Sequence, residues 1–273
     1  MKKILIYLIT LCILSTAFLS CDVKLKYNVD INKDSIDIDN EKLLMATLFH
    51  QKAAEYRALS YQAYNIARHI LDNELKKMSL NKKLAVIVDV DETVLDNSPF
   101  QAKIILEKIQ YPEYWDEWCE LAQAKALQGA VEFLNYAKSK GVEVFYVTNR
   151  KENLKEKTIK NLKEKGFPYA DIEHLYMRKN ESGKEKRRQA IAANYHIVLF
   201  IGDNLSDFSY VFDKKSIEER FFLTDSLKNK FGKRFIILPN SMYGAWYDAL
   251  FDYNYNLTHE EKNKMFYEKL EGF

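Results

Sequence analysis

The sequence predicts an α/β fold in which helices flank a parallel sheet, with a small, mainly helical and aromatic cap beside it. The first observation is the run LAVIV at 84–88, which is apolar and largely β-branched, without polar alternation. Such a run is typical of a strand buried on both faces. The second is that further apolar runs alternate with helical patterns, which favours right-handed crossovers between parallel strands. The third is that these runs end in polar residues, at the edge where open α/β sheets bind their ligands.

The N-terminus has the pattern of an export signal. Two lysines precede an apolar run at 4–19, and the stretch FLSC at 18–21 resembles a lipobox. A basic segment, an apolar core and a small residue before the cut indicate a secretory signal. Cys21 favours a lipoprotein signal peptide at 1–20, after which Cys21 becomes the lipidated first residue. Simple secretion stays open, as does a retained anchor, for which about sixteen apolar residues are marginal.

Charge and cysteine content argue against two classes of protein. Removal of 1–20 takes away Lys2 and Lys3 and no acid, so Lys+Arg falls from 41 to 39 against 39 Asp+Glu. A formally neutral chain is not expected to bind a nucleic-acid polymer. Cys12 leaves with the signal and Cys21 is lipidated, so Cys119 remains alone and no intramolecular disulfide is expected.

The part of the chain before the first strand divides into a tether and a helical region. Residues 21–40 are polar and lack a sustained apolar period, so we expect a flexible tether there and a folded domain over 41–273. The pattern at 41–77 predicts one or two helices packed against the sheet. Its apolar residues recur at steps of three or four: Met45, Phe49, Ala53, Tyr56, Leu59, Ala63, Ala67 and Ile70.

An aromatic insertion follows the first strand. The segment at about 97–128, together with the N-terminal helices, is predicted to form the small cap. It carries Phe100, Tyr111, Tyr114, Trp115 and Trp118. On composition alone, these rings suit either a core or a pocket in which a flat ring stacks. We expect Trp118 to be core.

The rest of the chain repeats the strand and helix pattern. Helices are predicted at 129–140 and 154–165. Strands are predicted at 142–147, at 174–177, at 196–204 (HIVLFIGDN) and at 234–240 (RFIILPN). The charge run at 184–188 is expected on a solvated helix face, with one cation free to face the site. Parallel strands end at one edge of a sheet, so their terminal residues are predicted to lie together: Asp89 and Asp91, Thr148, and Asp203.

Clustered carboxylates without a His or Cys cluster favour a hard cation, most simply Mg²⁺. With the Thr148 hydroxyl and a lysine, Lys184, the set suits a phosphoryl group, which an aspartate would attack in line. Asp91 lies two residues after Asp89, so it points to the same side in extended backbone and is placed for proton transfer. Other phosphatase chemistries lack their residues: no arginine lies six residues after Cys119, no Arg-His-Gly triplet occurs, and the five histidines are scattered.

These residues resemble the four ordered motifs of the haloacid dehalogenase (HAD) superfamily. The motifs are Asp89-Val-Asp91-Glu-Thr93, Thr148-Asn-Arg, Lys184 within SGKEKRR, and Gly202-Asp203-Asn-Leu-Ser-Asp207-Phe. More narrowly, the chain is similar to the bacterial class C acid phosphatases, which are lipoprotein 5′-nucleotidases. The resemblance runs from about residue 55 to residue 246. It implies an HAD-like, Rossmann-type sheet. Phe100 departs from the family, whose first motif usually ends in Tyr.

The resemblance also implies roles for residues of the site. Asp89 would be the nucleophile that forms an aspartyl-phosphate, and Asp91 the general acid and base. Mg²⁺ would be held by the Asp89 carboxylate, the backbone carbonyl of Asp91, and Asp203, with Asp207 supporting the site from outside these ligands. The remaining roles are phosphate binding by Thr148 and Lys184 with Asn149 beside them, and ring binding by Trp115 and Tyr243.

The sequence therefore predicts a Mg²⁺-dependent phosphomonoesterase of the cell envelope, anchored in a membrane by lipid on Cys21. Its expected substrates are nucleoside 5′-monophosphates or nicotinamide mononucleotide. Two alternatives stay open: a broad-specificity acid phosphatase, and a surface lipoprotein that binds haem or a host factor on a phosphatase fold. The sequence does not give the oligomeric state, and a homodimer is left open.

Overall fold

The computed structural model of the protein describes residues 38–77 and 82–273. The predicted signal peptide, Cys21 and nearly all of the predicted tether lie outside these residues. The helices are α1 (Ile38–Lys52), α2 (Ala54–Lys76), α3 (Ser98–Glu107), α4 (Trp115–Leu121), α5 (Ala130–Ser139), α6 (Lys155–Glu164), α7 (Glu185–Asn194), α8 (Ile217–Ser226), α9 (Ala245–Asp248) and α10 (His259–Glu268). The strands are β1 (Lys83–Val88), β2 (Leu95–Asp96), β3 (Lys125–Ala126), β4 (Glu143–Lys151), β5 (Leu175–Arg178), β6 (Tyr195–Gly202) and β7 (Phe235–Ile237).

Five of the strands form a parallel sheet in the order β5-β4-β1-β6-β7. Strand β1 is central, and Val88 near its end lies opposite Tyr146 of β4 and Ile201 of β6. The parallel α/β sheet predicted from the sequence is therefore confirmed, and the ends of its three middle strands meet at one edge.

The apolar run of β1 is explained by its burial on both faces. Val86 and Val88 belong to the larger core cluster, which includes side chains from α2 and α5. Ala85 and Ile87 belong to a separate cluster on the other face, with Ile191 of α7. Since successive side chains of a strand point to opposite faces, only a continuous apolar run fills both clusters.

The N-terminal helical region is confirmed, with two differences. It is divided at Ala53, whose backbone is extended, and α1 begins at Ile38, three residues before the predicted start at 41. Three residues of the predicted apolar face, Met45, Phe49 and Leu59, are exposed, and α2 instead buries Tyr64 and Leu71. The apolar periodicity thus identified the helices but not the full extent of their buried face.

The insertion between β1 and α5 is built from α3, α4 and the short antiparallel pair β2–β3. The backbone of α3 contacts that of α1. Trp118 packs against the large core, as expected, and its indole Nε1 donates to Asn97 Oδ1 at 2.8 Å. In the two ranges that the structure describes, no helix combines the length and apolarity that crossing a membrane requires.

Strand β4 corrects one predicted boundary. The strand was predicted to end at 147, but it continues to Lys151, across an irregularity in its pairing with β5. Thr148 and Arg150 therefore lie within the strand and are buried, whereas Asn149 between them is exposed. This alternation is that of extended backbone, and it sends the motif's threonine and arginine to one side.

Candidate active site

The carboxyl ends of β1 and β6 bring together the acids of the first and fourth motifs. Asp89 follows β1 directly, Asp203 follows β6, and the carboxylate oxygens of Asp89, Asp203 and Asp207 lie within 4.8 Å of one another. Lys184, which precedes α7, lies among them: its Nζ bonds to Asp89 Oδ1, and to Asp207 Oδ1 at 2.6 Å. Lys184 and both of its partners are buried. One cation of the charge run therefore faces the site, as the sequence predicted.

Local backbone geometry places Asp207 beside this lysine. Its Oδ2 accepts from the backbone amide of Asn204 at 3.0 Å, and the Asn204 side chain in turn caps the following helical turn. A Cβ at Gly202 would collide with the Asp207 side chain, so the glycine of this motif allows the close approach. With both of its carboxylate oxygens held by protein groups, Asp207 is positioned to support Lys184.

The acid cluster is electrostatically strained without a further cation. Burial and the neighbouring Asp207 raise the pKa of Asp203 to about 7, although its Oδ2 accepts from Asn240 Nδ2 at 2.8 Å. Burial also raises the pKa of Asp89, against the lowering effect of Lys184. Three carboxylates surround one ammonium group, and a divalent cation would offset their repulsion and favour their ionised forms. An all-oxygen donor set of this kind fits Mg²⁺.

Asp91 lies in a different environment, although it is only two residues from Asp89. Its Oδ1 accepts from Arg150 Nε at 2.9 Å and from Asn97 Nδ2 at 2.9 Å, and it lies 2.8 Å from Arg150 Nη2. Its Oδ2 accepts from Thr148 Oγ1 at 3.3 Å. Its carboxylate therefore lies outside the cluster of Asp89, Asp203 and Asp207 and is held by neutral and cationic donors.

The neighbouring Glu92, for which the sequence indicated no role, is fully buried and has a left-handed backbone (φ 53°). Its Oε1 accepts from the backbone amide of Asn97 at 2.8 Å. Burial and the nearby Asp91 and Asp203 raise its pKa well above the usual range. Glu92 thus fixes the turn after β1 and positions Asn97 beside Asp91.

Thr148 and Asn149 lie at the same edge and are held by their neighbours. Thr148 is completely buried, and its hydroxyl donates to Asp91 and accepts from the Arg150 amide at 3.1 Å. Asn149 is exposed, and its Oδ1 accepts from Arg187 Nη2 at 2.7 Å. The direct contact of Thr148 with a phosphate stays a prediction, since its hydroxyl donates to Asp91 in this structure.

A cavity of about 630 Å³ opens in front of these acids. Asp89, Asp91, Lys184, Asp203 and Asp207 lie in its wall. The cavity is also lined by aromatic side chains: Phe100, Tyr111, Trp115, Tyr243, Tyr247 and Tyr255. Its volume suits a small organic phosphate. Three of its aromatic residues come from the cap insertion and three from the chain around and after α9.

The two predicted ring-binding residues both line the cavity, with unequal access to it. Tyr243 is half-buried, whereas Trp115 is only 9% exposed and packs edge to face against Phe100 with 5.0 Å between ring centroids. The Arg150 guanidinium lies 5.7 Å from the centre of the Trp115 ring. Only a small part of Trp115 is therefore available to a ligand.

Comparison with known proteins agrees with this geometry. The model of the HAD superfamily, subfamily IIIB (acid phosphatase), matches residues 14–246. The chain belongs to this family. It is 32% identical to acid phosphatase 1 of Solanum lycopersicum over 131 residues, or 44% of this chain and 50% of that protein. It is 27% identical to the stem 28 kDa glycoprotein of Glycine max over 182 residues, or 61% of this chain and 67% of that protein.

Among solved structures, the HAD subfamily IIIB chain is similar to the class C acid phosphatase from Bacillus anthracis. The TM-score is 0.84 at 45% identity, over 87% of this chain and all of that one. The tungstate-bound structure of the same enzyme gives a TM-score of 0.84 at 46% identity, with the same coverage. The resemblance to class C acid phosphatases inferred from the four motifs is confirmed.

Sequence reasoning missed several polar residues of this acid phosphatase site. Asn97 and Arg150 donate hydrogen bonds to Asp91, and Asn240 donates to Asp203. Arg187 donates to Asn149 and also to the Ser182 carbonyl, at 3.2 Å, in the loop before α7. Arg150 stands inside a quoted motif, and its position two residues after Thr148 was the signal that could have revealed it. Asn97 and Asn240 carry no comparable signal, because asparagine in a loop usually serves a turn.

Proposed function

We propose that this protein is a Mg²⁺-dependent phosphomonoesterase that works through an aspartyl-phosphate on Asp89. The observation that carries the proposal is the contrast between the two acids of the first motif. Asp89 lies in the acid cluster with Lys184, whereas Asp91 is held apart by donors that include a guanidinium. One acid is thus placed to attack an anion and the other to transfer protons, a division typical of paired carboxylates.

The reaction has two steps at the same phosphorus. In the first, an Asp89 carboxylate oxygen attacks phosphorus in line, the bond to the ester oxygen breaks, and Asp91 gives its proton to that leaving oxygen. In the second, Asp91 takes a proton from water as the water attacks the same phosphorus, and Asp89 is released with inorganic phosphate. Mg²⁺, held by Asp89, Asp203 and the Asp91 carbonyl, would supply positive charge to the phosphoryl oxygens.

Lys184 and Asp207 support this chemistry electrostatically. The Lys184 ammonium bonds to Asp89, the proposed nucleophile, and to Asp207. These two buried acids raise the pKa of Lys184 against the opposing effect of burial. The lysine therefore stays charged at every pH at which the enzyme would work, and it meets the oxygens of a phosphate bound at Asp89. Tungstate, an oxyanion that the Bacillus anthracis relative binds, should compete with substrate here.

The experiment for the reaction class measures phosphate released from a panel of phosphomonoesters by the purified protein, with Mg²⁺ or EDTA. The proposal expects Mg²⁺-dependent release that tungstate inhibits competitively. A folded protein that binds ligands but releases no phosphate from any member would support the alternative, a binding lipoprotein on a phosphatase fold.

For the substrate, we propose nucleoside 5′-monophosphates or nicotinamide mononucleotide, because the cavity wall carries several aromatic rings beside the acids. Stacking of a base on an aromatic side chain contributes about 1–3 kcal/mol. Tyr243→Ala and Trp115→Ala should therefore lower kcat/KM for a nucleotide about 5- to 100-fold relative to p-nitrophenyl phosphate. Tyr243→Ala is the cleaner variant, since Trp115 also covers Arg150.

The matched control for this measurement is Tyr114→Ala. Tyr114 is an exposed aromatic residue at the start of α4, next to Trp115, and it does not line the cavity. The variant's ratio of nucleotide to aryl phosphate hydrolysis should equal that of the wild type. If all three variants keep the wild-type ratio, the enzyme is a broad-specificity acid phosphatase.

We also propose that the protein is anchored in the cell envelope by lipid on Cys21 and acts outside the cytoplasm. The support is the basic and apolar pattern at 1–20 that ends at a cysteine. Metabolic labelling with palmitate should mark the wild type and not Cys21→Ser. Equal labelling of the two, or no labelling of either, would contradict the anchor.

A further inference from the structure

Arg150 is the most buried cation of the site, and the reaction described above gives it no role. Arg150 is 2% exposed and is the largest of the fully buried side chains in the described part of the chain. A buried guanidinium is costly unless its charge and its N–H groups are satisfied. The contacts of Arg150 therefore indicate what it does.

Three of these contacts lead to Asp91 or to its neighbour. Arg150 Nε and Nη2 lie 2.9 Å and 2.8 Å from the same oxygen, Asp91 Oδ1, and Nη2 also donates to Asn97 Oδ1 at 3.2 Å. Asn97 in turn donates from Nδ2 to Asp91 Oδ1 at 2.9 Å. Three nitrogens thus surround one carboxylate oxygen, two of them as hydrogen-bond donors. Among the hydrogen bonds described, Oδ2 has only the longer contact with the Thr148 hydroxyl.

We propose that Arg150 is a positioning residue for the general acid: by holding Oδ1 of Asp91, it makes Oδ2 the oxygen that exchanges protons with the leaving group and with water. This inference rests on the proposed function, in which Asp91 is the acid. An oxygen that already accepts two hydrogen bonds and lies 2.8 Å from a guanidinium nitrogen has little capacity left for a proton. A fixed Oδ1 also fixes the plane of the carboxyl group, and proton transfer is sensitive to that geometry.

The rest of the arginine's surroundings keeps it rigid. Nη1 donates to Thr158 Oγ1 on α6 at 3.3 Å, and the Trp115 ring covers the guanidinium. Burial alone would lower the pKa of Arg150, but the Asp91 carboxylate raises it, so the cation persists. A lysine could supply the charge but not a planar fork that reaches Asp91, Asn97 and Thr158 together.

A direct contact with phosphate is the other role that a cation in the cavity wall could have. Arg150 has five N–H groups, and four of its contacts already go to the three residues named above. Little donor capacity remains for an anion. Lys184, which is bonded to the proposed nucleophile, is better placed for the phosphate.

The two roles differ in how they depend on the leaving group. An alkoxide, such as the 5′-oxygen of a nucleoside, needs a proton as it departs, whereas p-nitrophenolate is stable enough to leave without one. A misplaced general acid therefore slows an alkyl phosphate much more than an aryl phosphate. Loss of a phosphate ligand slows both alike, because both substrates carry the same phosphoryl group.

The test measures kcat/KM, which reports the first phosphoryl transfer, for ribose 5-phosphate and for p-nitrophenyl phosphate on the full-length protein. Ribose 5-phosphate has the 5′-oxygen leaving group of a nucleotide but no base, so its rate does not depend on ring stacking at Trp115, which covers Arg150. Arg150→Gln should lower the ratio of ribose 5-phosphate to aryl phosphate hydrolysis about 10- to 100-fold, which is part of the roughly 10²- to 10⁴-fold that general acid–base catalysis supplies in full. Arg150→Lys, which keeps the charge, should lower the same ratio and serves if the glutamine variant does not fold. Asp91→Asn sets the upper limit of the effect.

The control is Arg220→Lys, which replaces another buried arginine, on α8, whose charge acts on Asp248. Its Nη1 has no hydrogen-bond partner in the described part of the chain. Arg220→Lys should leave the ratio unchanged whatever it does to the melting temperature. Equal losses for both substrates in the Arg150 variants, with a lowered ratio in Asp91→Asn, would overturn the positioning role alone. An unchanged ratio in Asp91→Asn would overturn the role of Asp91 in the proposed function as well.

Discussion

Replacement of Asp89 by Asn should lower phosphate release by at least about 10⁴-fold for every phosphomonoester. The amide is a poor nucleophile, and no other group takes its place: Asp91 is bound to Arg150 and Asn97, and Asp203 is bound to Asn240. The measurement is initial-rate phosphate release with Mg²⁺ present, at several pH values. Because the loss is one of chemistry, it should not depend on the leaving group, unlike that of the Arg150 variants.

The Asp89→Asn protein should remain folded, which separates lost chemistry from lost structure. Lys184 keeps its bond to Asp207 in this variant, and the substitution removes one of three clustered carboxylates. We therefore expect a melting temperature, without added metal, equal to or above that of the wild type. Glu113→Gln, an exposed acid in the cap, is the matched change of charge and should keep wild-type activity. Activity of Asp89→Asn within tenfold of the wild type would contradict the assignment.

Removal of the metal is the second large effect that we expect. EDTA should lower phosphate release about 10²- to 10³-fold, because a bound cation contributes several kcal/mol to the stabilisation of transition-state charge. Added Mg²⁺ should restore the activity and raise the melting temperature, since a ligand that binds only the folded state stabilises it, by about 2.7 kcal/mol at 100 times Kd. In Asp203→Asn, the same Mg²⁺ concentration should neither restore phosphate release nor raise the melting temperature.

The effect of Mg²⁺ on stability should also depend on pH. Burial and Asp207 raise the pKa of Asp203 from 3.8 to about 7 without metal, so the folded protein holds a proton that the unfolded chain releases. The stabilisation from that proton is complete below about pH 4 and is lost as the pH rises through 7. Mg²⁺ favours the ionised form, so the Mg²⁺-induced shift of the melting temperature should increase between pH 4 and pH 7. A shift that is constant over this range would contradict the placement of the metal at Asp203.

The sheet and the acids at its edge could be predicted because both leave direct traces in the sequence. A strand buried on both faces, such as 84–88, must be apolar throughout, and the acids that end β1 and β6 must follow such runs. Thr148 and Arg150 were harder to place, because an extension of β4 through the four polar residues at 148–151 runs against the pattern of a buried strand. Their burial depends on each other and on Asp91, and no single-residue pattern reports such a network.

The N-terminal helices show the same limit of prediction from sequence. Periodicity placed apolar residues of 41–77 on one face, but it could not show that the chain breaks at Ala53 or that Met45 stays exposed. The buried face of a helix is decided by what packs on it, and those partners, such as α3, come from distant parts of the chain. Asn97 likewise gained its role from Arg150, which is more than fifty residues away.

The most direct measurement for the central claim is to trap the phosphoenzyme. Wild type and Asp91→Asn would be mixed with p-nitrophenyl phosphate and Mg²⁺, quenched in acid and treated with borohydride, which reduces an aspartyl-phosphate to homoserine. We predict homoserine at position 89, more of it in Asp91→Asn because the second step is slowed, and none in Asp89→Asn. Homoserine at another aspartate, or its absence during rapid turnover, would contradict the account.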